Sequence, residues 1–284
     1  MEFKKIGVIG AGVMGIGVSV DLILNNLDVI LIDTLEEQLE KAKKEILETI
    51  RFAPMLKKGS PKLSQEEVLA RIKFSTDLNE VSDVDFVVEN ITEDWELKKD
   101  LYSKLDKICE KDICFGVDTS CLSITQVASA TERVDKVIGI HFMNPVYLKP
   151  TLEVMKGFHT SEETIALTKD FLSQIGKNAI VVNDFPGFVS NRISHLFMNE
   201  AAFVIQDDLA QPKDVDEIFK KCFGHTMGPL ETADLIGLDT VANSLKVLYE
   251  SYQDPKFRCC PLLKKMVDAK LLGRKTGRGF YNYN

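Results

Sequence analysis

Three glycines near the start of the chain have the spacing of a phosphate-binding turn. Gly10, Gly12 and Gly15 form the pattern GxGxxG. They lie between an apolar, strand-like run at residues 5–9 and a stretch of helical periodicity at residues 13–24. In such a turn the first glycine permits a tight bend, the second lets the backbone approach a pyrophosphate, and the third permits close helix packing. The phosphates would sit at the positive end of the helix. The residues predicted to contact them are Gly10, Gly12, Val13, Met14 and Gly15.

A carboxylate follows at the end of the second predicted strand. Asp33 ends the apolar run at residues 29–32, about 20 residues after the turn, where a carboxylate accepts hydrogen bonds from the adenosine ribose hydroxyls. It would repel a 2′-phosphate, and residues 34–37 supply no arginine to receive one. The pattern therefore favours NAD over NADP. The alternative is a glycine-rich turn that binds no ligand.

A second set of polar residues follows further along the chain. Ser120 and Cys121 come after Asp118, and His141 precedes Glu153 by twelve positions. Together with residues 186–192 and the ending at residues 272–281, these segments resemble the L-3-hydroxyacyl-CoA dehydrogenase family across essentially the whole chain. The resemblance implies NAD-dependent oxidation of the 3-hydroxyl group of a short 3-hydroxyacyl thioester, such as 3-hydroxybutyryl-CoA, or the reverse reaction.

The resemblance also implies the catalytic residues. His141 matches the general base, and Glu153 matches the glutamate that orients the base and stabilises its imidazolium form. Ser120 matches a serine that forms a hydrogen bond with the substrate hydroxyl group. Asn191 matches an asparagine that holds developing charge on the substrate oxygens. His159, His195 and His225 do not stand in segments that match catalytic positions of the family, and we interpret them as structural.

Further family positions imply contacts with the cofactor. Glu93 and Lys98 match residues near the nicotinamide ribose, although a solvated Glu–Lys pair on a helix would look the same. Lys275 matches a lysine that reaches the cofactor from the C-terminal tail. Asn144 and Asp118 match positions beside the nicotinamide.

The chain departs from the family pattern around the acyl group. Asp118 replaces an asparagine, and Cys121 replaces a serine; we interpret Cys121 as a small buried apolar residue rather than a nucleophile. Tyr147 and Lys149 stand in an altered segment at residues 147–151, and they suggest a small or polar substrate. Asp118 would alter the electrostatics around the cofactor.

Some segments resemble a branch of the family that oxidises a glyceryl group on an acyl carrier protein in polyketide extender-unit biosynthesis. An arm near residues 50–70, which we expect to be helical, carries three lysines that could meet either the 3′-phosphate of CoA or an acidic carrier protein. These lysines are Lys57, Lys58 and Lys62. A solvated charge run is the alternative, and the choice between CoA and carrier protein stays open.

The elements that would position these residues form an α/β protein. Alternating strands and helices predict a Rossmann-type doubly wound parallel sheet at residues 1–183, followed by a smaller all-α domain at residues 184–284 for substrate binding and dimerisation. The site would lie between the two domains, and the homodimer is implied by the resemblance. The predicted strands after residue 32 are 71–74, 85–89, 113–117 and 136–142, and the predicted C-terminal helices are 188–205, 214–222, 232–252 and 262–271.

Composition limits the other possibilities. The chain has 284 residues, 45% of them hydrophobic, and a formal net charge of −8, which argues against nucleic acid and membrane partners. Six cysteines show neither a disulfide framework nor metal-ligand spacing, so we expect a cytoplasmic protein with no metal. A non-catalytic NAD-binding structural module is the alternative of another class, and the set of matched catalytic residues argues against it.

Overall fold

The chain folds into two compact units, one ending at Asp184 and the other beginning at Phe185. The structure is a computed structural model, and it describes residues 2–284. The sequence-based boundary at 183/184 lies one residue before this division. Each unit has its own apolar core.

The first unit is built on one eight-stranded sheet with the order β3-β2-β1-β4-β5-β6-β7-β8. Strands β1 to β6 run parallel, β7 runs antiparallel to β6, and β8 runs parallel to β7. Because β1 lies between β2 and β4, the strand order reverses beside the end of β1, which is where doubly wound sheets bind ligands. The strands are β1 (Lys5–Ile9), β2 (Asp28–Ile32), β3 (Ile72–Ser75), β4 (Phe86–Glu89), β5 (Cys114–Val117), β6 (Val137–His141), β7 (Thr151–Lys156) and β8 (Asn178–Asn183).

Helices connect these strands. Helix α1 is apolar and mostly buried, because it packs in the central core of this unit. Helix α4 is amphipathic and begins where the Asp94 side chain accepts a hydrogen bond from the Leu97 N–H group. The helices are α1 (Val13–Leu24), α2 (Glu36–Leu56), α3 (Gln65–Leu69), α4 (Trp95–Ile108), α5 (Ile124–Ala128) and α6 (Glu162–Gln174). The predicted α/β fold class is confirmed.

The arm near residues 50–70 is helical only in part. Helix α2 continues through Pro54 to Leu56, residues 57–64 are non-helical, and the short α3 follows. The prediction of a helical arm is therefore wrong for residues 57–64, which contain Gly59 at a φ of +88° and Pro61. Both residue types interrupt helices.

The sequence did not predict the last two strands of the sheet. In β7 the buried face includes the polar Glu153, and β8 is a half-exposed edge strand. Neither segment therefore has the continuous apolar character that identifies a buried parallel strand.

The second unit is helical, as predicted. Its core includes Met198, Leu238, Leu245 and Leu263. The predicted helix at 232–252 is two helices, because Gly237 adopts a φ of +104°, which ends one helix and begins the next. The helices are α7 (Ser190–Gln206), α8 (Pro212–Cys222), α9 (Pro229–Ile236), α10 (Leu238–Tyr252) and α11 (Pro261–Asp268).

Two buried carboxyl groups hold the C-terminal tail in this unit. Asp234 accepts hydrogen bonds from the N–H groups of Phe280 and Tyr281, each at 3.0 Å. Asp216 accepts a hydrogen bond from the Tyr281 hydroxyl group at 2.7 Å. The tail that contains Lys275 is therefore fixed by specific contacts.

Candidate active site

The three glycines of the first turn have different surroundings. Gly10 has a φ of +94°, and a Cβ atom there would lie 2.7 Å from the carbonyl oxygen of Asn90. A Cβ atom at Gly15 would lie 1.8 Å from the carbonyl oxygen of Gly10, whereas nothing lies within 4 Å of a Cβ atom at Gly12. The backbone at Gly12 therefore faces open space at the start of α1, as a pyrophosphate site requires.

Asp33 lies beside this turn. Its Oδ2 atom accepts a hydrogen bond from the Ala11 N–H group at 2.9 Å, and its Oδ1 atom accepts one from the Leu35 N–H group at 3.1 Å. Gln38 donates to the Ala11 carbonyl oxygen at 2.6 Å. Gln38 helps to fix the turn, and the sequence pattern gave no signal for it.

His141 and Glu153 are paired residues on adjacent antiparallel strands. Directly opposed residues project their side chains to the same face of a sheet, and His141 Nδ1 lies 3.4 Å from Glu153 Oε2. The other ring nitrogen, Nε2, lies 3.3 Å from Ser120 Oγ. The structure therefore brings three predicted catalytic residues together in the order Ser120, His141, Glu153.

The order of these contacts sets the tautomer of the histidine. An ionised carboxylate accepts hydrogen bonds but donates none, so Glu153 favours the tautomer with the proton on Nδ1 of His141. Nε2 is then an acceptor that faces Ser120. The arrangement can take a proton from a hydroxyl group bound beside Ser120.

Glu93 holds the segment that carries Ser120. Its Oε1 atom accepts hydrogen bonds from the Thr119 hydroxyl group, from the Ser120 N–H group at 3.0 Å and from the Cys121 N–H group at 3.1 Å. Burial raises the pKa of Glu93, but the charge of Lys98 and these hydrogen bonds lower it by more. The net pKa therefore lies below its ordinary range. Glu93 is therefore held as a carboxylate.

Lys98 is fully buried, with 0% of its side chain exposed. Its Nζ atom donates to Glu89 Oε2 at 2.9 Å and to the Asp118 carbonyl oxygen at 2.8 Å, and it lies 3.4 Å from Glu93 Oε2. The alternative of a solvated Glu–Lys pair on a helix is therefore wrong. Burial lowers the pKa of Lys98, but the charges of Glu89 and Glu93 raise it more, so the ammonium form is stabilised.

Glu89 is a buried member of this cluster that sequence reasoning did not single out as a site residue. Burial raises its pKa, and the charge of Lys98 opposes that rise. Its Oε2 atom also accepts a hydrogen bond from the Tyr102 hydroxyl group at 3.1 Å. The signal available in the sequence was a carboxylate at the end of an otherwise apolar strand, β4.

Comparison with known proteins identifies the family of this chain. The model of the 3-hydroxyacyl-CoA dehydrogenase NAD-binding domain matches residues 5–185, and that of the 3-hydroxyacyl-CoA dehydrogenase C-terminal domain matches residues 187–283. The chain belongs to the 3-hydroxyacyl-CoA dehydrogenase family. The first unit of this dehydrogenase is therefore its NAD-binding domain, and the predicted cofactor, NAD, is confirmed.

Similar proteins cover this dehydrogenase from end to end. A probable 3-hydroxybutyryl-CoA dehydrogenase of Deinococcus radiodurans is 42% identical over 279 residues, which is 98% of this chain and 100% of that protein. The 3-hydroxybutyryl-CoA dehydrogenase of Bradyrhizobium diazoefficiens is 39% identical over 99% of this chain and 95% of its own length. The crystal structure of (S)-3-hydroxybutyryl-CoA dehydrogenase from Ralstonia eutropha matches with a TM-score of 0.93 and 37% identity, covering 100% of both chains.

Cys121 differs from its predicted environment. It is partly exposed rather than buried, and its Sγ atom lies 3.5 Å from Glu93 Oε1. Partial burial and the adjacent carboxylate of Glu93 raise the pKa of the thiol to about 12. A thiolate is therefore disfavoured, in agreement with the expectation that Cys121 is not a nucleophile of this dehydrogenase.

The segment after β6 is anchored to helix α1. Lys177 Nζ donates to the carbonyl oxygens of Val146 and Lys149, both at 2.8 Å, and pairs with Asp21 of α1 at 2.8 Å. A Cβ atom at Gly17 would lie 2.8 Å from Val146 Cγ2. Val146 therefore packs against the bare backbone of α1. Sequence reasoning missed Lys177 and Asp21, although buried charges in apolar surroundings usually occur in pairs.

The predicted acyl-side residues have different exposures. Tyr147 is buried and lines a cavity of about 200 Å³, together with Val13, Glu45 and Asn144. The side chain of Lys149 is in an exposed position, as is Asn144. The cavity places Tyr147 and Asn144 beside α1, whose N-terminus faces the predicted pyrophosphate site.

The remaining predicted residues lie in the helical unit and in the segment that follows α2. Asn191 is the second residue of α7 in the helical unit, and its carbonyl oxygen lies 2.9 Å from His195 Nδ1. Lys275 pairs with Asp239 in the same unit. Three lysines are exposed in the non-helical segment after α2, namely Lys57, Lys58 and Lys62.

Residues 2–284 contain no group of three or more His, Cys, Asp or Glu side chains arranged to hold a metal ion. In the same part of the chain no helix is long and apolar enough to cross a membrane.

Proposed function

We propose that this dehydrogenase oxidises the 3-hydroxyl group of short-chain 3-hydroxyacyl-CoA, such as 3-hydroxybutyryl-CoA, to the 3-oxo group, and that it also catalyses the reverse reaction. The observation that carries the proposal is the contact series from Ser120 Oγ through His141 to Glu153. It supplies a base, a group that orients the base and a hydroxyl group that positions the substrate.

These residues perform the proton transfer. NAD, when bound, supplies the hydride acceptor. His141 Nε2 takes the proton of the substrate hydroxyl group, which Ser120 holds by a hydrogen bond. Glu153 stabilises the resulting imidazolium, and in the reverse direction His141 returns the proton to the substrate oxygen.

The residues at the end of β1 and around it fit NAD. The open backbone at Gly12 and the N-terminus of α1 would hold the pyrophosphate, and Asp33 would hold the adenosine ribose. The other predicted cofactor contacts stay predictions, namely Glu93, Lys98, Asp118, Asn144 and Lys275. The contribution of Asn191 to the substrate oxygens also stays a prediction.

Relatives named 3-hydroxybutyryl-CoA dehydrogenases support a CoA thioester with a short acyl group. The glyceryl group on an acyl carrier protein is the second substrate to test, because both thioesters present the same pantetheine arm.

The test follows nicotinamide absorbance with purified protein. We expect acetoacetyl-CoA to oxidise NADH rapidly. In the opposite direction, with NAD, the kcat/KM for 3-hydroxybutyryl-CoA should be at least about tenfold above that for the glyceryl carrier protein. A preference for the carrier protein would overturn the CoA assignment. No turnover of either thioester would favour the non-catalytic NAD-binding module.

We further propose that the protein is a homodimer that functions in the cytoplasm. All six cysteines are free thiols, which suits a reducing compartment. Light scattering after size-exclusion chromatography is expected to give twice the chain mass of 31.9 kDa; the mass of one chain would contradict the dimer.

A further inference from the structure

Asp118 is a carboxyl group at the junction of the two segments that carry the reacting residues. It follows β5 and precedes Ser120 by two positions, and 9% of the residue is exposed. Its Oδ1 atom accepts a hydrogen bond at 3.1 Å from the N–H group of Phe142, the residue after His141. The carboxyl group therefore joins the segment that carries Ser120 to the residue that follows His141.

Several titratable groups surround Asp118. The Lys98 ammonium group is already engaged by Glu89, by Glu93 and by the carbonyl oxygen, not the carboxyl group, of Asp118. The local balance is therefore three carboxyl groups around one ammonium group. The titratable groups that interact with Asp118 are Glu89 on β4, Glu93 after β4, and Lys98 and Tyr102 on α4. His141 on β6 precedes Phe142, whose N–H group donates to Asp118.

This environment favours the neutral acid. Burial raises the pKa of Asp118 well above its ordinary range, and the charges of Glu89 and Glu93 raise it further. The hydrogen bond from Phe142 and the charge of Lys98 oppose that rise without reversing it. Asp118 therefore retains its proton at pH values where an exposed aspartate has lost it.

We propose that Asp118 discriminates between the two redox states of the cofactor by releasing a proton when NAD⁺ binds. The nicotinamide ring is cationic in NAD⁺ and neutral in NADH, so NAD⁺ near Asp118 favours the carboxylate while NADH favours the acid. The O–H bond of the carboxyl group breaks, the proton passes to bulk solvent, and no electrons are transferred. This inference rests on the proposed function, because that function places the reacting nicotinamide ring beside His141.

Proton release makes the two affinities respond differently to pH. Where Asp118 is protonated in the free protein, the Kd for NAD⁺ falls by up to about tenfold for each unit by which the pH rises, because one proton leaves for each NAD⁺ bound. The Kd for NADH lacks this Asp118-dependent change. In Asp118→Asn the Kd for NAD⁺ also loses the pH dependence that Asp118 causes.

Isothermal titration calorimetry of the whole protein, in buffers with different ionisation enthalpies, counts the protons released. Asn retains an oxygen that can accept the Phe142 hydrogen bond, so Asp118→Asn preserves the local contact. Asp100→Asn, an exposed position on α4, is the matched control. Repeating the titrations in a His141→Gln background removes the imidazole as a proton source.

We expect up to one proton released with NAD⁺ and none with NADH in the His141→Gln protein, with release retained in Asp100→Asn and lost in Asp118→Asn. In the His141→Gln protein with Asp118 intact, equal release with both nicotinamides would overturn the inference. So would the absence of release with NAD⁺ at every pH at which that protein stays folded. No thioester is present, so failure of the proposed substrate would leave these proton counts unchanged.

Discussion

His141 and Glu153 are a directly opposed residue pair on the antiparallel strands β6 and β7. The eleven residues between them in sequence include the segment that Lys177 anchors to α1. The pairing of the base with its orienting carboxylate is therefore set by strand register, and the rigid sheet keeps the two side chains on one face.

Replacing the orienting carboxylate should impair the chemistry more than the binding. In Glu153→Gln the ring faces a neutral amide, which can donate as well as accept and therefore neither fixes the tautomer nor stabilises the imidazolium charge. The kcat should fall by about 10² to 10⁴-fold, the range typical of acid–base groups. The Kd for NADH should stay within about twofold. Steady-state kinetics and fluorescence titration measure these quantities, and Glu162→Gln, an exposed change on α6, is the control. An unchanged kcat in Glu153→Gln would exclude the orienting role.

Two glycine substitutions should separate cofactor binding from folding. Gly12→Ala adds a methyl group where nothing lies within 4 Å, so Tm should change little while the Kd for NAD rises at least about tenfold, through loss of roughly 1.4 kcal/mol or more. Gly10→Ala forces a positive φ on alanine and a contact with the Asn90 carbonyl group, so it should lower Tm. Thermal denaturation and NAD titration test both. Normal NAD binding by Gly12→Ala would show that the pyrophosphate lies elsewhere.

The pKa of Glu93 predicts a pH-dependent contribution to stability. Because the folded-state pKa lies below the ordinary value of 4.5, the contribution is present above pH 4.5 and is lost as the pH falls through the folded pKa. Glu93→Gln should therefore be less stable than the wild type at pH 7, by about 1–3 kcal/mol for loss of a charged hydrogen-bonding group. Denaturant unfolding at pH 7 and at lower pH measures the difference. A gap that widens on acidification would contradict the assignment.

The Lys177–Asp21 pair should behave as a buried ion pair that anchors the segment containing Asn144. Lys177→Met leaves Asp21 buried without its cation, and the expected loss is about 3–5 kcal/mol. Adding Asp21→Leu removes the buried carboxyl group, so the double variant should recover part of that loss. Urea unfolding of the single and double variants tests this expectation. If the two substitutions destabilise additively, the pair is not coupled.

Much of this organisation was predictable from sequence because the relevant signals are local. The glycine spacing identified the turn at Gly10, and apolar periodicity located strands β1 to β6. The ending of the predicted sheet at residue 142 shows the limit of such signals. Strand β7 contains Glu153 on a buried face. A search for continuous apolar runs misses such a strand, because the polar residue is buried against a partner on another strand.

The electrostatic arrangement was harder to predict because it depends on distant residues. Glu93 and Lys98 looked equally consistent with a solvated pair, and only folding places Lys98 between Glu89 and the carbonyl oxygen of Asp118. The anchoring role of Lys177 likewise depends on three segments that are separate in sequence. Burial of a charge is a tertiary property, so neither residue type nor spacing reveals it.

The most direct test of the account is the His141→Gln variant assayed for both turnover and NAD binding. Glutamine retains a hydrogen-bonding side chain but cannot accept the hydroxyl proton as a general base at neutral pH. Turnover of acetoacetyl-CoA with NADH should fall by at least about 10²-fold, while calorimetry should give a Kd for NADH near the wild-type value. A variant that keeps most of its kcat would contradict the assignment of His141 as the catalytic base.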